Sequence, residues 1–221
     1  MPYLAMFPLG SVLFPGAVLP LHVFEPRYRE LVQHCLDSDE HEFGVALITR
    51  GSEVGGGDIR SMVATVARLV QVAELDDGHY AVITVGTRRV RIERWLEDDP
   101  YPIAEVHDWP DELEQNTPRV LDHELVATLA RVRRINALAS EMGERAGDVT
   151  PTISSEAVLA TFQLCALAPL GPADQQRLLS AAGPTARLVL LNDALNDVEA
   201  LLLFRLQHES GGEMPNDVGG P

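Results

Sequence analysis

The spacing of apolar side chains changes once along this chain, close to residue 112, and that change restricts the fold to two dissimilar parts. Up to about residue 110 the apolar residues fall in short extended runs separated by turn residues. From about residue 117 onward they recur three and four positions apart, the period of an amphipathic helix. An α+β chain is expected, with a β subdomain over 1–112 and a helical subdomain over 117–208. Residues 209–221, containing GGEMPNDVGGP, are expected to be a disordered tail.

In the first part, Ala5 to Leu9 and Val18 to Val23 read as strands divided by a Pro15-Gly16 turn. Pro26 suits a first helical position, and Tyr28, Leu31, Val32, Cys35 and Leu36 follow at helical spacing, with Arg29, Glu30, Gln33 and Asp37 opposite. Phe43 to Thr49 reads as a strand, and Gly51 to Gly57, with four glycines in seven residues, as a flexible loop. Met62 to Leu75 and His79 to Trp95 read as two long strands around the Asp77-Gly78 turn. In the second of these, Ala81, Ile83 and Val85 carry the cleaner apolar parity, with Val82 as the exception, and Val90 and Ile92 carry the opposite one after Gly86. A phase switch at a glycine predicts a bulge or sharp bend. Long bent hairpins let a small sheet curl up, so with Pro102 to Trp109 as a further strand the expected fold is a mostly antiparallel, barrel-like sheet with one helix.

Four helices are expected after it. Leu121, Leu125, Leu129, Val132, Ile135 and Leu138 form one stripe, and Glu141 to Asp148 reads as a loop. Val158, Leu159, Phe162, Leu164, Cys165 and Leu167 are apolar on most sides and mark the most buried helix. Asp174 to Ala182 gives a short helix, and Leu188, Leu191, Leu195, Val198 and Leu202 a long final one, together a helical bundle.

Several chemistries are excluded by composition. The net charge of -16 opposes a nucleic-acid backbone, so no nucleic acid is expected as a partner. All seventeen basic side chains are arginine, which rules out a phosphate-loop lysine, a Schiff base and a Ser-Lys dyad within these residues. Cys35 and Cys165 lie far apart without CxxC partners, as expected of buried thiols in a reducing, cytoplasmic setting. The N-terminal run has no early basic residue and is broken by Pro8, Pro15 and Pro20, so neither a signal peptide nor a membrane span is expected. His41-Glu42 and His123-Glu124 begin like HExxH, but Val45 and Ala127 stand where a second histidine would be needed, so no metal site is expected. Asp76-Asp77 and Asp98-Asp99 flank strand ends and read as turn residues. Arg88, Arg89, Arg91 and Arg94 form a basic cluster, in which Arg89 and Arg91 share one strand face; pairing with the chain's own carboxylates is the default reading, an acidic peptide the rival.

Three blocks carry a family resemblance: FPLGSVLFPGAVLPLHVFEPRYRELV, then ATVARLVQVAELDDGHYAVITVGTRRVRI, then LAPLGPADQQRLLSAAGPTARL. In this order they resemble the N-terminal substrate-binding domain of the Lon protease family, also found in cereblon. The resemblance reaches to about residue 206. It implies a PUA-like fold, a barrel-like sheet followed by a helical bundle, and a role in holding polypeptide clients or partner proteins. Val63-Ala64-Thr65 departs from the family's more usual valine-glycine-threonine step. The family's ATPase and Ser-Lys protease modules and cereblon's zinc-bearing domain have no counterpart in these residues.

The leading expectation is a non-enzymatic protein-binding module with no cofactor, in which Phe14, Leu19, Leu21 and Phe24 line an apolar groove and Arg89 and Arg91 make polar contacts. Glu25, Arg27 and Tyr28 are expected to lock the strand-to-helix junction. The rival from another class is a small-molecule binding protein or enzyme that uses the cleft between sheet and bundle.

Overall fold

The computed structural model of the chain describes residues 3–51, 58–112, 117–142 and 153–210, with the side chains of 117–122 and 209–210 left undescribed. The strands are β1 (Tyr3–Leu9), β2 (Val18–Val23), β3 (Glu42–Arg50), β4 (Ile59–Glu74), β5 (Tyr80–Trp95) and β6 (Ile103–Asp108). Helix α1 (Pro26–Asp37) precedes β3, and α2 (Thr117–Glu141), α3 (Ala157–Leu167), α4 (Pro172–Leu179) and α5 (Pro184–Ser210) follow β6. The expected glycine loop, the connection after α2 and the tail fall wholly or mostly outside the described residues.

The six strands form one sheet in the order β2-β5-β4-β3-β1-β6, and β6 also pairs with β5. The pairings from β5 through β4, β3, β1 and β6 thus return to β5. All five strands of this circuit feed one cluster of small and branched side chains, Met6, Ala46, Ala64, Val66, Val90, Ile92, Ala104 and Val106. Five pairings are antiparallel, but β1 runs parallel to β3, with Met6 opposite Gly44. The mostly antiparallel sheet expected has this one parallel pairing, because β2 and α1 intervene between β1 and β3 and carry the chain across before it pairs.

Strand faces also differ from expectation. On β5 it is Tyr80, Val82 and Thr84 that are buried, while Ala81 is exposed and Ile83 and Val85 are half-buried. Val82 joins a cluster with Val23, Tyr28, Leu31, Val32, Cys35 and Phe43 under α1. Ala81, Ile83 and Val85 lie opposite His22, Pro20 and Val18, so the outer face of this strand pair is apolar too. Parity of hydrophobicity cannot separate two apolar faces. The bulge is where the glycine places it: Val66 pairs with Arg88 and Ala67 with Gly86, leaving Thr87 extra.

β2 has β5 as its single neighbour in the sheet and is the open edge. The Gly86 N–H donates to the Ala17 carbonyl, so by alternation the backbone of Pro20 faces outward, where it has no N–H to offer.

The helices share a second core of Val132, Ile135, Phe162, Leu164, Cys165, Leu188, Leu191 and Leu195, entered from the sheet side by Phe14. Burial pushes the Cys35 and Cys165 thiols up to about 12, which keeps both protonated at neutral pH. Neither should react with a thiol reagent in the native protein at pH 8, whereas both should after denaturation. Rapid labelling of either before unfolding would contradict the packing described.

Candidate functional site

The connection from β1 to β2 brings the chain against the helices. Gly16 has φ 79°, a left-handed conformation that suits glycine, and its N–H donates to the Gly86 carbonyl at 2.8 Å. A Cβ on Gly86 would collide with the Phe14 carbonyl, so a glycine at the bulge lets the two backbones meet. Thr65 is buried and donates its hydroxyl proton to the Leu13 carbonyl at 2.6 Å. This loop, the bulge, the segment after β6 and the start of α3 enclose a cleft of about 490 Å³. Pro15, Gly86, Trp109 and Pro110 form its sheet wall, and Val158, Leu159 and Phe162 its helical wall.

Its floor is a buried ion network. The Arg89 guanidinium, 3% exposed as a residue, donates to the Leu179 and Ala181 carbonyls at 2.6 Å and pairs with Asp111. Fully buried Arg187 donates to both Asp111 oxygens at 2.8 and 2.9 Å and to the Thr161 hydroxyl at 2.7 Å, with its guanidinium 3.5 Å from the Phe162 ring centroid. One carboxylate thus holds two guanidiniums contributed by β5 and α5. Burial pushes Arg89 down to about 10, with Asp111 acting against the shift and Arg187 and Arg91 with it, so Arg89 remains charged at neutral pH.

The sequence-picked residues divide. Phe14 is in the core, 6.2 Å from Phe162 between ring centroids, and supports the cleft from beneath. Leu19 and Leu21 point toward the α1 core and are half-buried, whereas Phe24 is exposed. Leu21 and Phe24 line a separate hollow of about 170 Å³ with Phe7, Pro20 and Tyr28. Arg89 is in the buried network, and Arg91 is exposed with its guanidinium 4.1 Å from the Trp109 ring centroid. At the junction, Arg27 donates to Glu25 at 3.0 Å and lies 4.5 Å over the ring of buried Tyr28, which stacks on Phe7 at 4.1 Å. The residues that sequence reasoning missed are Trp109, Asp111 and Arg187. Arg187 was detectable: it falls one and two turns before Leu191 and Leu195 on an apolar stripe, where an arginine needs a buried partner.

Of the four clustered arginines, Arg88 pairs with Glu42 and Asp108, Arg89 with Asp111, and Arg94 with Glu105. His41 is tied to the end of α1, its Nδ1 2.8 Å from the Cys35 carbonyl. Among the described residues no group of three or more histidine, cysteine or acidic side chains is placed to hold a metal ion, and no helix is long and apolar enough to cross a membrane.

Fold and site together define a mixed α+β domain whose notable concavity is apolar and lies where the sheet meets the helices. The sequence model of the ATP-dependent protease La (LON) substrate-binding domain matches residues 3–197, and the chain belongs to that family. It is 27% identical over 217 residues to Lon protease 2 of Myxococcus xanthus, covering 96% of this chain and 26% of the relative. Against Lon protease 2 of Sorangium cellulosum it is 33% identical over 126 residues, 56% of this chain and 15% of the relative. The chain spans about a quarter of the length of the curated Lon proteases it matches along most of its own. Among solved structures it is similar to a Lon N-terminal domain protein from Xanthomonas campestris, with TM-score 0.62, 28% identity and coverage of 87% of this chain and 98% of that one. The N-terminal domain of the Mycobacterium avium complex Lon protease has the same fold, with TM-score 0.62 at 19% identity over 89% of this chain and 99% of that one.

Proposed function

We propose that the chain is a non-enzymatic, cytoplasmic module that holds exposed apolar segments of polypeptides in the cleft between sheet and helices. In this reading the strand circuit is a PUA-like barrel, residues 117–208 are a helical bundle, and the client sits in the cleft where the two meet. One observation carries the proposal: the cleft offers apolar side chains to solvent while the charged groups beneath it bind one another. A small-molecule enzyme needs unpaired polar groups converging on a reacting atom, and here Arg89, Asp111 and Arg187 converge on each other. Arg91 lies against Trp109 of the cleft wall, and Leu21 and Phe24 offer a second, smaller contact. The net charge of -16 argues against nucleic acid as the client.

Leu159 is half-buried on the helical wall. Leu159→Asp should weaken binding of a fluorescent, permanently unfolded model protein about tenfold or more, the value of a well-buried aliphatic contact. Fluorescence anisotropy measures it, and circular dichroism checks that the variant is folded. Unchanged binding would remove the cleft from the proposal, and no binding by either protein would remove the proposal.

A further inference from the structure

The two walls of the cleft differ in charge, and the difference specifies more of the client than its apolarity. Arg88, Arg89 and Arg94 all have carboxylate partners. Arg91 has none within ion-pair distance among the described residues; its guanidinium instead lies 4.1 Å from the centroid of Trp109, a cleft residue. The carboxylates on the neighbouring strand positions are engaged elsewhere: Glu93 with His107 at 2.9 Å, Asp108 with Arg88 at 2.9 Å, and Glu105 with Arg94 at 2.9 Å. Behind Trp109, whose ring centroid is also 4.3 Å from the Arg89 guanidinium, two arginines share the single carboxylate of Asp111. Two guanidiniums, Arg89 and Arg91, therefore lie against this ring, and Asp111 is the one carboxylate paired with either of them among the described residues, in a chain whose net charge is -16. On the far wall, exposed Glu156 opens α3 and lines the same cleft.

We propose that the cleft selects polypeptide segments in which an apolar residue is flanked by an aspartate or glutamate side chain, the apolar group seated between Trp109 and Leu159 and the carboxylate on Arg91, away from Glu156. This deepens, and rests on, the client-holding reading above. A guanidinium laid beside an indole keeps its N–H edges free for a bidentate carboxylate, and its orientation is already fixed. A segment flanked by arginine would face repulsion at the sheet wall, and a neutral flank would leave Arg91 to solvent.

The test uses fluorescent peptides with one apolar core, amidated C-termini, and aspartate, glutamine or arginine as the flank. A fourth peptide has the glutamine flank and a free C-terminal carboxylate. Anisotropy titrations at low salt should show the aspartate peptide binding about fivefold more tightly than the glutamine peptide, the range of a partly exposed ion pair. Arg91→Gln should erase that ratio, and Arg91→Glu should reverse it in favour of arginine. Glu156→Gln should leave the Arg91-dependent ratio in place. Equal affinities for aspartate and glutamine flanks in the native protein, or a preference that survives Arg91→Gln, overturns the inference while leaving the cleft as a peptide site. So does a free C-terminus that matches the aspartate flank, because the recognised group is then the chain end. If neither these peptides nor the unfolded model protein bind, the client-holding reading itself fails.

Discussion

Asp111→Asn should lower the melting temperature by on the order of 10 °C, from a loss of roughly 3 to 5 kcal/mol at about 2 to 4 °C per kcal/mol for a chain of this size. The substitution keeps the shape of the side chain and removes its charge. Arg89 and Arg187 would then be buried with like charges against one another and no carboxylate between them. Their bonds to the Leu178, Leu179 and Ala181 carbonyls would hold them in place, so neither could turn to water without uncovering the helix-side backbone. The exposed pair between Arg94 and Glu105 provides the contrast: Glu105→Gln should cost less than about 1 kcal/mol. Differential scanning calorimetry of the two variants separates the cases, and a shift of less than about 2 °C for Asp111→Asn would show that the network does not join sheet to helices as described.

Tyr28→Ala should be comparably severe, about 3 to 5 kcal/mol in urea denaturation. The Tyr28 ring is stacked on Phe7 with an interplanar angle of 15°, and the residue is 3% exposed. Its loss would open a cavity beneath the start of α1, beside the Glu25 to Arg27 ion pair at the step from β2 into the helix. Burial pushes the Tyr28 phenol up to about 12, in keeping with a ring that serves packing before proton chemistry. Phe24, close in sequence and half exposed, should tolerate alanine at less than about 1 kcal/mol. Equal, small losses at both positions would contradict the assignment of Tyr28 to the core.

What could be read without coordinates was local. The α1 stripe, the Asp77-Gly78 turn and the bulge at Gly86 each depend on residues within one or two turns of chain, where periodicity and backbone sterics decide the outcome. Partnership between distant segments was less legible. Nothing in Ala5 to Leu9 indicates that β1 will lie parallel to β3, because strand parity describes faces and is silent about neighbours. The parity of β5 misled for a related reason: alanine, isoleucine and valine occupy its outer face, so the apolar pattern did not mark the inside. At the site, Arg89 and Arg91 stood out as a pair sharing a strand face, but their separate fates turn on Trp109 and Asp111, which approach only once β6 has docked beside β5. Phe14 drew attention as a groove candidate beside the Pro15-Gly16 turn, and its place in the helical core depends on α3, some 150 residues away in sequence.

Pro20 bears on how such a molecule survives contact with unfolded chains. Exposed polypeptide readily lengthens any sheet that offers it a continuous row of donors and acceptors, and the product is hard to reverse. With no donor at the middle of the open edge, the row is interrupted for any chain arriving there. Holding by side chains in a cleft can then be undone contact by contact. Under the proposed function, the same proline that limits the sheet keeps a loaded molecule from becoming the template for an aggregate of its own clients.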